Sequence, residues 1–323
     1  MLLSVIIPTY NSQDTIIRAI SSCIFESDEI ELLIVDDGST DNTINVINQN
    51  YNNKIRSGYI RIFKTNHLGA GNARNEGIKY ANGKWIIFLD SDDEFIKLKS
   101  VFLDIKALRK NSFIDVINYS NNNLTTYIVD GRKLLKDNLG LVNDEDRIWD
   151  SGPVYKVFNS SFLKDNEIVF PTNIKIGEDL VFNLNCLLLS NNILMKKGQI
   201  YEIHENFNSI THLIIKQDIL NDTVSLVNRI IEFNIPKYLK ELFIAKNFIA
   251  MLVRFLKSEL NVEIIMLLLK RYKKEFPLRK SFKYFFDLRY SLGILKVLVS
   301  WLIWTNPRIL RKIFYIMKRI KYS

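Results

Sequence analysis

The sequence predicts an α/β fold, with a mostly parallel, Rossmann-like sheet followed by a helical C-terminal region. In the N-terminal third, short apolar runs typical of buried strands alternate with stretches of helical periodicity. Such alternation implies parallel strands joined by right-handed crossovers. The charge balance also changes along the chain: residues 1–215 carry 22 Lys and Arg against 27 Asp and Glu, whereas residues 216–323 carry 22 against 8. We therefore expect two domains, 1–215 and 216–323.

Three buried strands are predicted for the first domain, at Ser4–Pro8, Glu31–Val35 and Lys84–Leu89, because these runs are short, apolar and rich in branched side chains. Ile60–Phe63 is predicted as a short or edge strand. A polar cluster follows each buried strand: residues 9–11, 36–41 and 90–93. Ligands of open α/β sheets bind beyond the carboxyl ends of the strands. The sequence therefore predicts a ligand site at this edge.

The last of these clusters contains three carboxylates within four residues, Asp90, Asp92 and Asp93. Carboxylates this close repel one another unless a cation or a proton intervenes. Mg²⁺ and Mn²⁺ prefer oxygen ligands and often bridge protein carboxylates to phosphates. The pattern is typical of a divalent cation holding a diphosphate, and the alternative is a solvated acidic turn.

Four motifs occupy residues 5–11, 35–41, 73–77 and 89–93, and a fifth, acidic one follows at 177–180. The first four together resemble those of family 2 glycosyltransferases, in the order and at the spacing of that family, and the fifth is similar to its later acidic motif. The resemblance extends over roughly residues 1–212. It implies the GT-A fold, a nucleotide-sugar donor, a Mn²⁺ or Mg²⁺ ion and an inverting transfer.

The resemblance also implies roles for individual residues on the donor side. Tyr10 would stack on the base and Asp37 would accept from a uracil imide, whereas Arg74, near a helix start, would suit a diphosphate. The alternatives are an aromatic residue closing the sheet edge, a turn residue and a surface arginine paired with an acid. The nucleotide-binding residues expected are Pro8, Thr9, Tyr10, Asp37, Arg74 and Asp90. The expected metal ligands are Asp92, Asp90 and Asp93.

On the acceptor side, Asp179 is predicted to be the base that deprotonates the attacking hydroxyl, with Glu178 orienting it or the acceptor. The alternative is a helix N-terminus, which carboxylates also favour. The segment 149–156, which contains Trp149 and Tyr155, resembles the acceptor-side region, where an aromatic face would stack on a sugar.

The C-terminal domain is predicted to be helical and to end in an amphipathic segment, residues 307–323, with basic residues largely off its apolar face. This composition favours a helix lying on an anionic membrane surface. The alternatives are a dimerisation helix, which would make the protein a homo-oligomer, and packing onto the catalytic domain. We expect no nucleic-acid partner, because the basic residues are interleaved with long aliphatic ones.

The apolar run at 292–304 is too short for a confident transmembrane helix. Cys23 and Cys186 lie in apolar helical surroundings, which favours reduced core residues. No signal peptide is recognisable. We therefore expect a cytoplasmic protein, peripheral on the inner face of the membrane.

The expected function is transfer of a sugar from a nucleotide-sugar, with a UDP-sugar favoured, to a glycan or lipid-linked acceptor in capsule, exopolysaccharide or lipopolysaccharide synthesis. One alternative is a sugar-phosphate nucleotidyltransferase, although the sequence after the first strand is not a glycine-rich phosphate loop. The other is a degenerate, non-catalytic transferase-like scaffold, against which the intact acidic motifs argue.

Overall fold

The computed structural model describes residues 1–108, 113–122, 125–174, 176–204, 219–257, 262–278, 281–288, 292 and 294–310. The chain divides into two compact units. The first unit contains residues 1–138 and 148–207, and the second contains residues 139–147 and 208–323. The predicted boundary between residues 215 and 216 lies outside the described residues. The assignment of a catalytic role to one part and of membrane association to the other stays a prediction.

The first unit is built on a mixed sheet. Among the described residues, eight strands form it in the order β3-β2-β1-β4-β8-β6-β9-β7, and β5 and β10 pair separately. Strands β1 to β4 are parallel to one another, β8 runs antiparallel to β4 and β6, and β9 runs parallel to β6 and antiparallel to β7. The predicted fold class is confirmed. The strands are β1 (Leu3–Thr9), β2 (Ile30–Asp36), β3 (Ile60–Lys64), β4 (Trp85–Phe88), β5 (Glu94–Phe95), β6 (Val116–Ser120), β7 (Tyr127–Val129), β8 (Lys156–Asn159), β9 (Ile193–Lys197) and β10 (Tyr201–Glu202).

Helices connect these strands. They are α1 (Ile16–Ser22), α2 (Thr43–Arg56), α3 (Ala70–Tyr80), α4 (Leu98–Ala107), a 3₁₀ helix (Gly131–Leu134), α5 (Leu135–Asn138), α6 (Ser160–Asp165) and α7 (Glu178–Leu189). Helix α3 packs on β1 and β2. Its Gly77 permits this approach, since a Cβ there would lie 2.4 Å from Cγ2 of Ile6. This close packing fixes the height of α3 above the sheet.

The core surrounds the central strands. Every residue of β1, β2 and β4 is buried, as expected for parallel strands covered on both faces. Next to them lies a cluster of four phenylalanines, in which Phe170 and Phe182 stack with centroids 3.9 Å apart. Phe88 and Phe158 contact this pair edge-on. The two cysteines are buried and free, as predicted.

In the second unit, residues 139–147 form turns and irregular structure, and the described residues from 219 to 310 are mostly helical, which confirms the expected helical C-terminal region. Its helices are α8 (Ile219–Glu232), α9 (Lys237–Lys257), α10 (Val262–Glu275), α11 (Ser281–Asp287) and α12 (Ile294–Thr305). Within it, the hydroxyl of Tyr272 donates to the carbonyl of Ile244 at 2.9 Å, and Phe248 packs edge-on against Trp304. Over the described residues, no helix combines the length and apolarity needed to cross a membrane. Most of the predicted amphipathic tail, residues 311–323, lies outside the described residues.

Candidate active site

Arg74 is the centre of the candidate site. Its guanidinium donates to Oδ1 of Asp90 at 2.8 Å and to Oδ1 of Asp179 at 2.9 Å, and Oε1 of Glu178 lies 3.9 Å away. Only 5% of the Arg74 side chain is exposed, and its guanidinium lies over the ring of Phe170 at 5.3 Å. The buried guanidinium of Arg74 thus links Asp90, which is predicted for the donor side, to Asp179 and Glu178, which are predicted for the acceptor side.

The position of Arg74 follows from how α3 is held. Its neighbour Asn75 donates through its side-chain amide to the carbonyl of Phe170 and accepts from the backbone N–H of Phe170, both at 2.8 Å. These two bonds fasten α3 to the segment before α7, while Gly77 holds α3 against β1. Arg74 therefore projects from a helix that is fixed at two points.

Asp179 and Glu178 form the first turn of α7. Gly177 precedes them at φ 84°, a left-handed conformation that glycine adopts without steric cost. Removal from water raises the pKa of Asp179 to about 7; Arg74 opposes this rise, and the Glu178 and Asp90 carboxylates add to it. Burial likewise raises the pKa of Glu178. With three carboxylates around one guanidinium, a proton is retained more readily than on an isolated acid.

Of the three carboxylates after β4, Asp93 is the one that the fold holds most firmly. Its Oδ2 accepts from the hydroxyl of Tyr201 at 2.7 Å and its Oδ1 accepts from the backbone N–H of His204 at 2.8 Å. Burial raises the pKa of Asp93, although these two hydrogen bonds oppose the rise. Asp90 and Asp92 are only half-buried. The assignment of Asp93 as a metal ligand stays a prediction, and its observed contacts are structural ones.

The positions of the carboxylates after β4 indicate what kind of cation site these residues fit. Within the described part of the chain, no group of three or more His, Cys, Asp or Glu side chains is placed to hold a metal ion. Asp90 and Asp92 provide two carboxylates at the edge of the sheet. Mg²⁺ and Mn²⁺ are often held by one or two carboxylates together with water and substrate phosphates. The residues therefore fit a cation shared with a diphosphate and do not fit an all-protein metal site.

The loops that follow β1, β2 and β4 meet at one edge, as predicted. The side chain of Asn11 accepts from the backbone N–H of Thr40 at 2.8 Å, which joins the first loop to the second. The hydroxyls of Ser12 and Ser91 lie 2.8 Å apart, which joins the first loop to the acidic one. The edge is thus a continuous polar surface.

Asp37 lies at this edge, but its carboxylate is occupied by the chain itself. It accepts from the Thr65 hydroxyl at 2.5 Å and from the backbone N–H groups of Leu68 and Gly69 at 2.8 and 2.7 Å. These bonds shape the loop that leads into α3. Its assignment as the uracil acceptor stays a prediction.

The other residues predicted for the nucleotide pocket lie beside Asp37. Pro8 and Thr9 are buried at the end of β1. Tyr10 is 36% exposed and packs against the ring of His67 with centroids 4.3 Å apart. Sequence reasoning did not single out His67, because an isolated histidine in a loop carries no periodic signal. Tyr10 and His67 together offer an exposed aromatic surface at the sheet edge.

Trp149 cannot supply the aromatic face expected on the acceptor side. This side chain is fully buried, and its indole N–H donates to Oδ1 of Asn138 at 3.2 Å, so its ring cannot stack on a sugar. Instead, the ammonium group of Lys156 lies over the Trp149 ring at 4.5 Å and donates to the carbonyls of Asp150 and Gly152. Burial lowers the pKa of Lys156 to about 8. In the sequence, this buried contact is indicated by the position of Lys156 within the apolar run 154–158.

Comparisons with known proteins agree with this arrangement. The model of glycosyl transferase family 2 matches residues 4–166, about half of the chain. The poly(ribitol-phosphate) beta-glucosyltransferase of Bacillus spizizenii is 33% identical over 202 residues, covering 60% of this chain and 30% of that protein. The poly(ribitol-phosphate) beta-N-acetylglucosaminyltransferase TarP of Staphylococcus aureus is 32% identical over 249 residues, covering 70% of each chain. The chain matches only about a third of the length of the first curated relatives.

Among solved structures, residues 1–349 of S. aureus TarS in complex with UDP-GlcNAc superpose with a TM-score of 0.65 at 23% identity, covering 94% of this chain and 90% of that one. This likeness supports the fold alone. The family model and the TarP relative carry the assignment: the chain belongs to glycosyl transferase family 2.

Proposed function

We propose that this protein is an inverting, metal-dependent glycosyltransferase that moves a sugar from a UDP-sugar to a hydroxyl of a bacterial surface glycopolymer. The observation that carries the proposal is the placement of Arg74, which holds Asp90 and Asp179 at 2.8 and 2.9 Å. One-step displacement needs a group that neutralises the leaving diphosphate and a base on the opposite side of the sugar. Because both carboxylates bond to the same guanidinium, their positions relative to each other are fixed.

On the donor side, the exposed ring of Tyr10 offers a face for the nucleobase. Asp37 stays the proposed acceptor for the base, although its carboxylate is buried and already accepts from Thr65, Leu68 and Gly69. The guanidinium of Arg74 supplies positive charge near the position of the diphosphate. Asp90 and Asp92 would hold a Mn²⁺ or Mg²⁺ ion, which stabilises the charge that develops on the leaving group when it is bound.

On the acceptor side, Asp179 is the proposed base. A carboxyl group whose pKa is raised towards the working pH accepts a proton more readily from a hydroxyl that becomes acidic as it attacks. Arg74 keeps this carboxylate oriented through the bond to its Oδ1, and Glu178 adds a second oxygen next to it. Ionised Asp179 is therefore the active form.

The acceptor class rests on the names of the relatives, which transfer sugars to poly(ribitol phosphate). We propose a polyol-phosphate polymer as acceptor, and a lipid-linked glycan is the second candidate. The basic second unit and the predicted tail would hold the enzyme at the anionic inner face of the membrane, as a peripheral cytoplasmic protein.

The test is UDP release from a panel of UDP-sugars with Mn²⁺, with either poly(ribitol phosphate) or a lipid-linked N-acetylglucosamine diphosphate as acceptor. We expect one donor to be turned over, and more product with the polymer than with the lipid. Failure of every UDP-sugar to bind or react would refute the donor assignment. Tight binding of a UDP-sugar without turnover on either acceptor would instead favour the scaffold alternative.

A further inference from the structure

The loop that carries Asp90 and Asp92 is fastened by a residue more than a hundred positions away. The hydroxyl of Tyr201 donates to Oδ2 of Asp93 at 2.7 Å and accepts from the backbone N–H of Asp90 at 3.1 Å. One buried oxygen therefore joins the first and the last residue of the four-residue acidic loop.

The ring of Tyr201 is itself fixed. It is fully buried, packs edge-on against Phe95 with centroids 5.5 Å apart, and lies 5.3 Å from the ring of Tyr155. Strand β10 begins at Tyr201 and pairs antiparallel with β5, so that Tyr201 lies opposite Phe95. The acidic loop connects β4 to β5. Tyr201 lies at the start of β10, the strand that pairs with β5, and its hydroxyl contacts the loop from there.

The other side of the loop is held by α1 and by the segment before it. The guanidinium of Arg18, in α1, donates to the main-chain carbonyl of Asp92, and the hydroxyl of Ser12, before α1, contacts that of Ser91 at 2.8 Å. The loop backbone is thus supported at Asp90 and Asp92, and the side chain of Ser91 is held as well, by side chains that are not candidate ligands.

We propose that Tyr201 is a positioning residue that sets the spacing of Asp90 and Asp92 for a divalent cation, and that Asp93 acts as its acceptor. This inference rests on the proposed function. Hydrogen bonds that orient metal ligands contribute strongly to affinity, and their loss commonly weakens metal binding by about 10- to 100-fold. Without the hydroxyl, Asp90 N–H and Asp93 Oδ2 would lose a buried partner, and the loop would have to rearrange to satisfy them.

The experiment compares Tyr201→Phe with Tyr119→Phe. Tyr119 is a matched control, because it is a buried tyrosine whose hydroxyl donates to Oδ2 of Asp104 at 2.7 Å, outside the acidic loop. Mn²⁺ binding in the presence of UDP is measured by calorimetry on the full chain, and UDP binding is measured again in EDTA. We expect Tyr201→Phe to weaken Mn²⁺ binding by about 10- to 100-fold, with little change in UDP binding in EDTA, and Tyr119→Phe to leave both unchanged.

Asp93→Ala and the double variant separate two roles for Asp93. If Tyr201 acts through Asp93, the double variant should bind Mn²⁺ about as weakly as the weaker single variant, since each single change removes the hydrogen bond between Tyr201 and Asp93. If the losses of Mn²⁺ affinity in the two single variants multiply in the double variant, Asp93 is an independent ligand and the proposal is overturned. Unchanged Mn²⁺ affinity in Tyr201→Phe would do the same, as would loss of folding in Tyr201→Phe alone. Unmodified protein that binds neither Mn²⁺ nor UDP would refute the proposed function itself.

Discussion

Replacing Asp179 by asparagine should separate a catalytic residue from a structural one, because the two roles predict opposite changes in stability. Asparagine keeps the size of the side chain and an oxygen that can accept from Arg74, but it removes the charge. As the base is lost, sugar transfer should fall by about 10²- to 10⁴-fold. UDP binding should hardly change, because Asp179 is proposed to act on the acceptor and not on the donor.

The stability effect follows chiefly from the burial of Asp179, to which the neighbouring carboxylates add and which Arg74 opposes. Three carboxylates, those of Asp90, Glu178 and Asp179, surround one guanidinium. In the folded protein the pKa of Asp179 rises from 3.8 to about 7, so the folded state binds the proton more tightly than the unfolded state. Stability is therefore lost as the pH rises from the unfolded value through the folded one.

The size of this loss can be estimated. At about 1.4 kcal/mol per pKa unit, the rise corresponds to about 4 kcal/mol at most. Because 30% of the Asp179 side chain is exposed, solvent screening reduces this to about 2 kcal/mol. We therefore expect Asp179→Asn to raise the free energy of unfolding by about 2 kcal/mol at about pH 8, and by less at about pH 5.

The assay is urea unfolding of both proteins at the two pH values, together with UDP release and calorimetric UDP binding. A variant that is inactive but more stable at the higher pH would fit a base held in an unfavourable environment. The reasoning would be refuted by an Asp179→Asn protein that is destabilised equally at both pH values. Loss of UDP affinity in the Asp179→Asn protein would instead assign Asp179 to the donor pocket.

Three further changes test other parts of the molecule. Asp92→Asn should abolish UDP release in the presence of Mn²⁺ with the fold intact, and EDTA should reproduce this loss reversibly; retention of most activity would end the ligand assignment. Asn75→Ala should lower the free energy of unfolding by about 1–3 kcal/mol, because two hydrogen bonds to the backbone of Phe170 are lost. The exposed Asn45→Ala serves as its control, and equal unfolding free energies in urea would contradict the role of Asn75. Truncation after Thr305 should reduce sedimentation with anionic liposomes in a salt-sensitive way, while a soluble acceptor is still glycosylated; unchanged sedimentation would favour dimerisation or packing of the tail.

The sequence by itself determined the first four strands and the edge at which the site lies. Strands such as β1 and β4 are continuous apolar runs, and this local signal survives folding because both faces of a parallel strand are covered. Polar residues that follow such strands must emerge at the carboxyl edge of the sheet. The grouping of Tyr10, Asp37 and Asp90 at one edge could therefore be predicted before any contact was known.

Only the tertiary structure decided which partner each ionisable group has. Arg74 meets Asp179, which lies 105 positions later, and Asp93 is bonded by Tyr201, which lies 108 positions later. Trp149 is fully buried, and the ammonium group of Lys156 lies over its ring. Local spacing determines how a strand or a helix is patterned, but the environment of a charge depends on segments brought together by the sheet. For that reason the predicted acidic cluster resolves into two half-buried carboxylates at the edge, one of which, Asp90, pairs with Arg74, and a buried one, Asp93, that is bonded by Tyr201.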